Sequence, residues 1–204
     1  MDEAGIIEGQ GENGLVVGSA QKRFIQKKQP GSKAWTSFIE CISPTGRALL
    51  PIVMFKGKSV QQQWFPMGLE PYQGWKFTAT DNGWTSDATA LEWLQKVFIP
   101  QTAPRDPKEP RLLIFDGHGS HETLEFMWEC YSNNIYLLFL PPHTSHVLQP
   151  LDLSVFSPLK HAYRKRLGAL ALLNDSTPIR KQNFLNCYKL ARIDALTVTN
   201  CKAG

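Results

Sequence analysis

The chain has 204 residues, of which 42% are hydrophobic and 20% charged. This composition suits a globular domain and excludes a wholly disordered chain. Twenty-two Lys and Arg against 18 Asp and Glu leave a net charge of +4, which permits a polyanionic partner without requiring one. The acidic start Met1-Asp2-Glu3 has no signal-peptide pattern, and the apolar runs at 49–55 and 135–140 are too short to cross a bilayer, so no membrane partner is expected.

Residues 1–34 are Gly-rich and read as loops joining short strands. The β-formers of 35–42, the Pro44-Thr45-Gly46 turn and the apolar run 48–55 predict an antiparallel hairpin. After an aromatic-rich loop over 59–75, residues 76–80 predict another strand. Ser86 or Asp87 caps a helix carrying Ala90, Leu91, Leu94, Val97 and Phe98 at spacings of three and four, and Pro100 stops it. The continuous apolar run 112–115 predicts a strand buried on both faces, as does 136–140. Between them, 122–131 predicts a helix with Leu124, Met127, Trp128 and Tyr131 on one stripe. Two helices follow at about 154–172 and 179–196, the second opened by Thr177-Pro178. Strands first, then β-α-β-α, give an α/β chain with a mixed sheet flanked by helices.

Two carboxylates stand out by position. Asp116 follows the strand 112–115, where α/β sheets place their sites. Asp152, in Gln149-Pro150-Leu151-Asp152, opens a helix, and a plain N-cap is its alternative reading. Asp2 is a third candidate. Convergent carboxylates are hard oxygen ligands that suit Mg²⁺ or Mn²⁺, and a two-metal site clamps the attacking and leaving oxygens of a phosphoryl transfer. His118 with His121, and His143 with His146, form two H-x-x-H pairs whose rival reading is a structural zinc site. Lys160, Arg164, Lys165 and Arg166 make a basic helix face suited to a phosphate backbone, opposite an apolar stripe of Val155, Phe156, Leu159, Tyr163 and Leu167. Lys22, Arg23, Lys27, Lys28 and Lys33 add basic charge near the start. The four cysteines include no C-x-x-C pair and point to a reducing compartment.

Asp2-Glu3-Ala4-Gly5, Asn82-Gly83-Trp84-Thr85, the run LLIFDGHGSH over 112–121 and the run LPPHTSHVLQPLDLSVFSPLK over 140–160 together resemble the DDE superfamily endonuclease domain of pogo-, Tigger- and jerky-type transposases, with a fungal pogo-like flavour. The resemblance runs nearly end to end. It implies an RNase H-like fold over 1–204, with 175–204 as a helical extension of the same domain. It also implies a triad of Asp2, Asp116 and Asp152 that holds two Mg²⁺ or Mn²⁺ ions for cleavage and strand transfer on DNA in the nucleus. His118, His121, His143 and His146 then orient the loops around the triad. The family has a strand ahead of its first Asp, whereas a single residue precedes Asp2 here. The domain is therefore expected to be incomplete at its N-terminus, to lack most of its first strand, and to leave strand 112–115 without a neighbour on one side. The alternative is an inactive, domesticated or decayed transposase fragment acting only by binding DNA or a partner; a homodimer is left open.

Overall fold

The structure, a computed structural model, describes residues 1–9, 34–116, 123–173 and 181–204, the last three residues of the third segment by backbone alone. His118, His121, Thr177-Pro178 and the basic residues at 22–33 lie outside the described residues.

Four strands form a mixed sheet in the order β1-β2-β3-β4: Asp2–Ile7, Trp35–Glu40, Ile52–Lys56 and Lys76–Thr80. β1 pairs antiparallel with β2 over its whole length, from Asp2 opposite Glu40 to Ile7 opposite Trp35. β2 and β3 form the expected antiparallel pair, extended by an isolated bridge between Ile42 and Ala48, and β4 runs parallel to β3. A second, two-stranded parallel sheet holds β5 (Arg111–Asp116) and β6 (Ile135–Leu140). The fold is a mixed α/β architecture compatible with an RNase H-like domain. The first strand follows Asp2 rather than leading into it. Gly5 sits inside that strand because the Trp35 indole occupies the space a side chain at position 5 would need.

Side-chain alternation assigns the two faces of the larger sheet to different cores. Ala4, Ile6, Phe38, Val53 and Phe55 face α6 (Phe156–Leu173) and α7 (Lys181–Ala195), where Leu159, Tyr163, Phe184 and Tyr188 are fully buried. Every member of the 155–167 apolar stripe is buried there, as its spacing predicts. On the other face, Ile39, Ile52 and Met54 pack with Trp93, Leu94 and Val97 and with Leu113, Phe115, Phe126 and Ile135, so this core joins both sheets.

The helix capped by Ser86, α1 (Asp87–Trp93), widens into a π-helical turn at Leu94–Phe98 and closes as α2 (Ile99–Gln101). Pro100 therefore lies within the last turn instead of ending the helix before it. Because the helix runs on into this turn from the π-helical one, the missing N–H of Pro100 removes one helical hydrogen bond there.

Two burial expectations are corrected. β5 and β6 are covered on one face only: Leu113 and Phe115 are buried, whereas Leu112 is 60% exposed and Tyr136 and Leu138 face outward. α3 (Leu124–Ser132) packs through Phe126 and Cys130, and its stripe of Leu124, Met127, Trp128 and Tyr131 points away, with Trp128 65% exposed. Both apolar patterns imply a second covering layer, and among the described residues nothing supplies it.

Candidate active site

Met1 is clasped from two sides. Its amino nitrogen donates to the Ile114 carbonyl of β5 at 2.7 Å, and its own carbonyl accepts from the Gln149 side-chain amide at 3.2 Å. Gln149 directly precedes α5 (Pro150–Ser154). These two contacts bring together the start of β1, the end of β5 and the first turn of α5, and with them Asp2, Asp116 and Asp152. Asp152 stands in the first turn of α5 with Gln149 at the N-cap, so the N-cap reading of Asp152 is not realised. Its carboxylate still gains from the helix N-terminus.

The charge of Asp116 reaches both Asp2 and Asp152. Asp2 is only 8% exposed. Burial, then the negative charges of Asp116 and Asp152, push its carboxyl up to about 8, against the Glu3 N–H donated to Asp2 Oδ1 and the nearby terminal ammonium. Asp152 is raised by desolvation, lowered by Lys160 and raised again by Asp116. The donor set has the right chemistry for a hard divalent cation, which would offset this repulsion. Among the described residues, however, no three acidic, imidazole or thiol groups stand close enough to hold an ion as placed. The carboxylates converge without closing.

Glu40 lies directly opposite Asp2 in the ladder and is fully buried, yet it is committed elsewhere. Arg192 binds both its oxygens, at 2.5 and 2.8 Å, and the Tyr188 hydroxyl donates to Oε1. A further Arg192 N–H donates to the Leu49 carbonyl. Sequence reasoning missed this network, although a Glu closing the otherwise uncharged strand WTSFIE signals a buried carboxylate in need of a cation. Gln149 was also missed as the residue that seats Met1.

The other flank of the site is basic and aromatic. Lys160 and Arg164 line a cavity of about 190 Å³ with Gly5, Gly9, Trp35 and Tyr163. Trp84, in the Asn82-Gly83-Trp84-Thr85 turn, packs against Trp35 at 5.2 Å, and the Thr85 N–H donates to Glu3 beside Asp2. Gly83 has φ +81°, a conformation that favours glycine. Arg166 pairs with Asp194 at 2.5 Å and so links α6 to α7. His143, with φ 64°, and His146 are exposed.

A family model described as DDE superfamily endonuclease matches residues 32–204. A protein of Cochliobolus lunatus named MFS-type transporter clz9 is 38% identical over 201 residues, covering 98% of this chain and 21% of that protein. The human and mouse proteins named Pogo transposable element with KRAB domain are 26% and 24% identical over 159 residues, covering 78% of this chain and 23% of each relative. The chain thus spans about a fifth of the length of these relatives. No solved structure matches it. No helix among the described residues is long and apolar enough to cross a membrane.

Proposed function

Because this chain belongs to the DDE superfamily endonuclease family, we propose that it is a transposase-derived domain that cleaves DNA phosphodiesters and joins strands with the help of divalent metal. The observation that carries this reading is the placement of a buried Asp2 at the seam of the two sheets, where Met1 bonds both the end of β5 that leads to Asp116 and the Gln149 side chain that opens the helix of Asp152. Asp2, Asp116 and Asp152 would hold two Mg²⁺ or Mn²⁺ ions, which when bound supply charge neutralisation at the attacking and leaving oxygens.

The chain's own residues do the rest. In hydrolysis, a water oxygen bonds to phosphorus as the bond to the 3′-oxygen breaks, and a water proton ends on that 3′-oxygen; in joining, the freed 3′-hydroxyl oxygen bonds to a target phosphorus as the target's own bond to its 3′-oxygen breaks, and the hydroxyl proton ends on the released target 3′-oxygen. Lys160 and Arg164 hold flanking phosphates, with Lys165 further along the same helix. The Asp2 carboxyl, pushed up to about 8 by burial and by the charges of Asp116 and Asp152, would give up its proton on taking up a cation. His143 and His146, with His118 and His121, order the loops once DNA is in place. Action on DNA puts the domain in the nucleus.

A second reading, a binding domain without cleavage, is favoured by one observation: the three acids do not close into a ligand group. Nicking of supercoiled plasmid separates the two. The cleavage reading expects nicking with Mn²⁺, none with EDTA, and a loss of at least ~100-fold in Asp116→Asn and in Asp152→Asn. If either variant nicks like the parent, the triad is wrong. If the parent binds DNA but never nicks it, the binding reading stands.

A further inference from the structure

The turn Asn82-Gly83-Trp84-Thr85 follows β4 and is fixed from several sides. The Asn82 side chain accepts the Trp84 N–H at 2.9 Å, and the Thr80 hydroxyl donates to the Trp84 carbonyl at 3.0 Å. Gly83, at φ +81°, holds a conformation that other residues rarely adopt, and a side chain there would meet Lys56 Cβ at 3.2 Å. Thr85 donates its N–H to the carboxylate of Glu3, the neighbour of Asp2.

This well-held turn presents an indole to water. Trp84 is 48% exposed and leans on Trp35, with ring centroids 5.2 Å apart and planes 36° from parallel. Trp35 is anchored in turn, because its Nε1 donates to Ser37 Oγ at 3.1 Å and its ring fills the space beside Gly5. The two rings form a step whose lower ring is locked and whose upper ring is half uncovered. Packing alone does not account for that placement, since nearly half of Trp84 gains nothing from burial.

The surroundings indicate what the step takes. Trp35 and Gly5 line one cavity together with Lys160 and Arg164. Gly5 stands three residues along β1 from Asp2, a span of about 10 Å, or about three steps of a nucleic-acid strand at ~3.4 Å each. A lipid headgroup or an acidic peptide would meet the two cations and leave the indole uncovered. An apolar protein surface would cover the indole and leave the cations unmet. A nucleic-acid strand supplies both, because each of its repeating units carries a negative charge and a flat π-face.

We propose that Trp84 is a stacking platform for one DNA base about three nucleotides from the phosphodiester that is cut. Stacking reads a π-face rather than a sequence, so the platform accepts any base and fixes the position of the strand along the site. A base inside an intact duplex has both faces covered, so the one that Trp84 takes is unpaired or lies at a strand end. This inference rests on DNA being the substrate and does not require that cleavage occur.

The test uses the full chain in Mg²⁺ and two single strands of about twelve nucleotides, oligothymidylate and the same sugar-phosphate backbone without bases. Phosphate contacts are common to both. Fluorescence anisotropy should show the parent binding thymidylate at least about fivefold more tightly than the bare backbone, with that preference lost in Trp84→Ala and largely kept in Trp84→Phe. A second readout needs no variant, and decides the matter if Trp84→Ala does not melt cooperatively. Irradiating the parent bound to a strand with 5-iodouracil in place of thymine should crosslink it at Trp84, located by peptide mass spectrometry. A preference unchanged in Trp84→Ala, an equal weakening on both strands, or no crosslink at Trp84 overturns the proposal. Equal binding of both strands by the parent also overturns it, while the DNA reading survives on phosphate contacts. Binding of neither strand overturns the DNA reading and this proposal with it.

Discussion

The two sheets of this molecule are built to different degrees of closure. In the four-stranded sheet, each face of β2 and β3 has its own core, and aromatic rings interlock across one of them: Phe38 with Tyr188 at 4.5 Å and Tyr163 with Phe184 at 5.5 Å. In the two-stranded sheet, one face is packed and the other shows Leu112, Tyr136 and Leu138 to solvent, beside a helix that shows Trp128 and Tyr131. The carboxylates sit on the seam, where the closed half meets the open one through Met1. The site therefore draws Asp2 from the start of β1 in the closed half and Asp116 from the end of β5 in the open one.

The comparison can be broken most sharply at the closed half. Arg192→Ala leaves Glu40 buried and unpaired, and should cost about 3–5 kcal/mol in urea denaturation. A loss below about 1 kcal/mol would mean that the network does not hold α7 to β2.

At the seam, Asp2→Asn tests the electrostatics. An unfolded Asp titrates near about 4, and folded Asp2 near 8. The folded state therefore holds the extra proton between these values. The stability it confers is complete below about pH 4 and is lost as pH rises to about 8. The parent should weaken over that range by a few kcal/mol through this group, and Asp2→Asn should lose that part of the slope and be the more stable protein at pH 8. Parallel stability–pH curves for the two proteins would contradict the burial of Asp2.

The smallest effect belongs to the open half. Trp128→Ser should change stability by less than about 1 kcal/mol in urea denaturation, because the ring is 65% exposed and its ring contact is with the likewise exposed Tyr131. A loss of several kcal/mol would show that α3 packs through that stripe.

Legibility in the sequence followed the same division. Elements with local signals were readable: the β2–β3 pair, β4, the Ser86 cap, and the 155–167 stripe whose every member is buried. Asp116 and Asp152 were marked by a strand end and a helix start. Two kinds of feature were not readable. Burial of β5, β6 and α3 was overestimated because an apolar pattern states a preference for cover and does not supply the layer that provides it. The partners of Glu40 and Met1 were missed because Arg192 and Gln149 lie 152 and 148 residues away, and pairing over such separations leaves no local spacing to detect. Gly5 was assigned to a loop for a related reason, since the Trp35 ring that makes it a strand residue arrives from β2.

The central claim is that Asp2, Asp116 and Asp152 constitute one metal site. Paramagnetic broadening by Mn²⁺ of backbone amide signals tests it directly, without requiring cleavage. The account predicts that substoichiometric Mn²⁺ broadens the amides of Asp2, Asp116 and Asp152 together, and that Asp116→Asn abolishes all three effects at the same concentration. Broadening confined to one of these residues, or unchanged at Asp2 and Asp152 in Asp116→Asn, would contradict it.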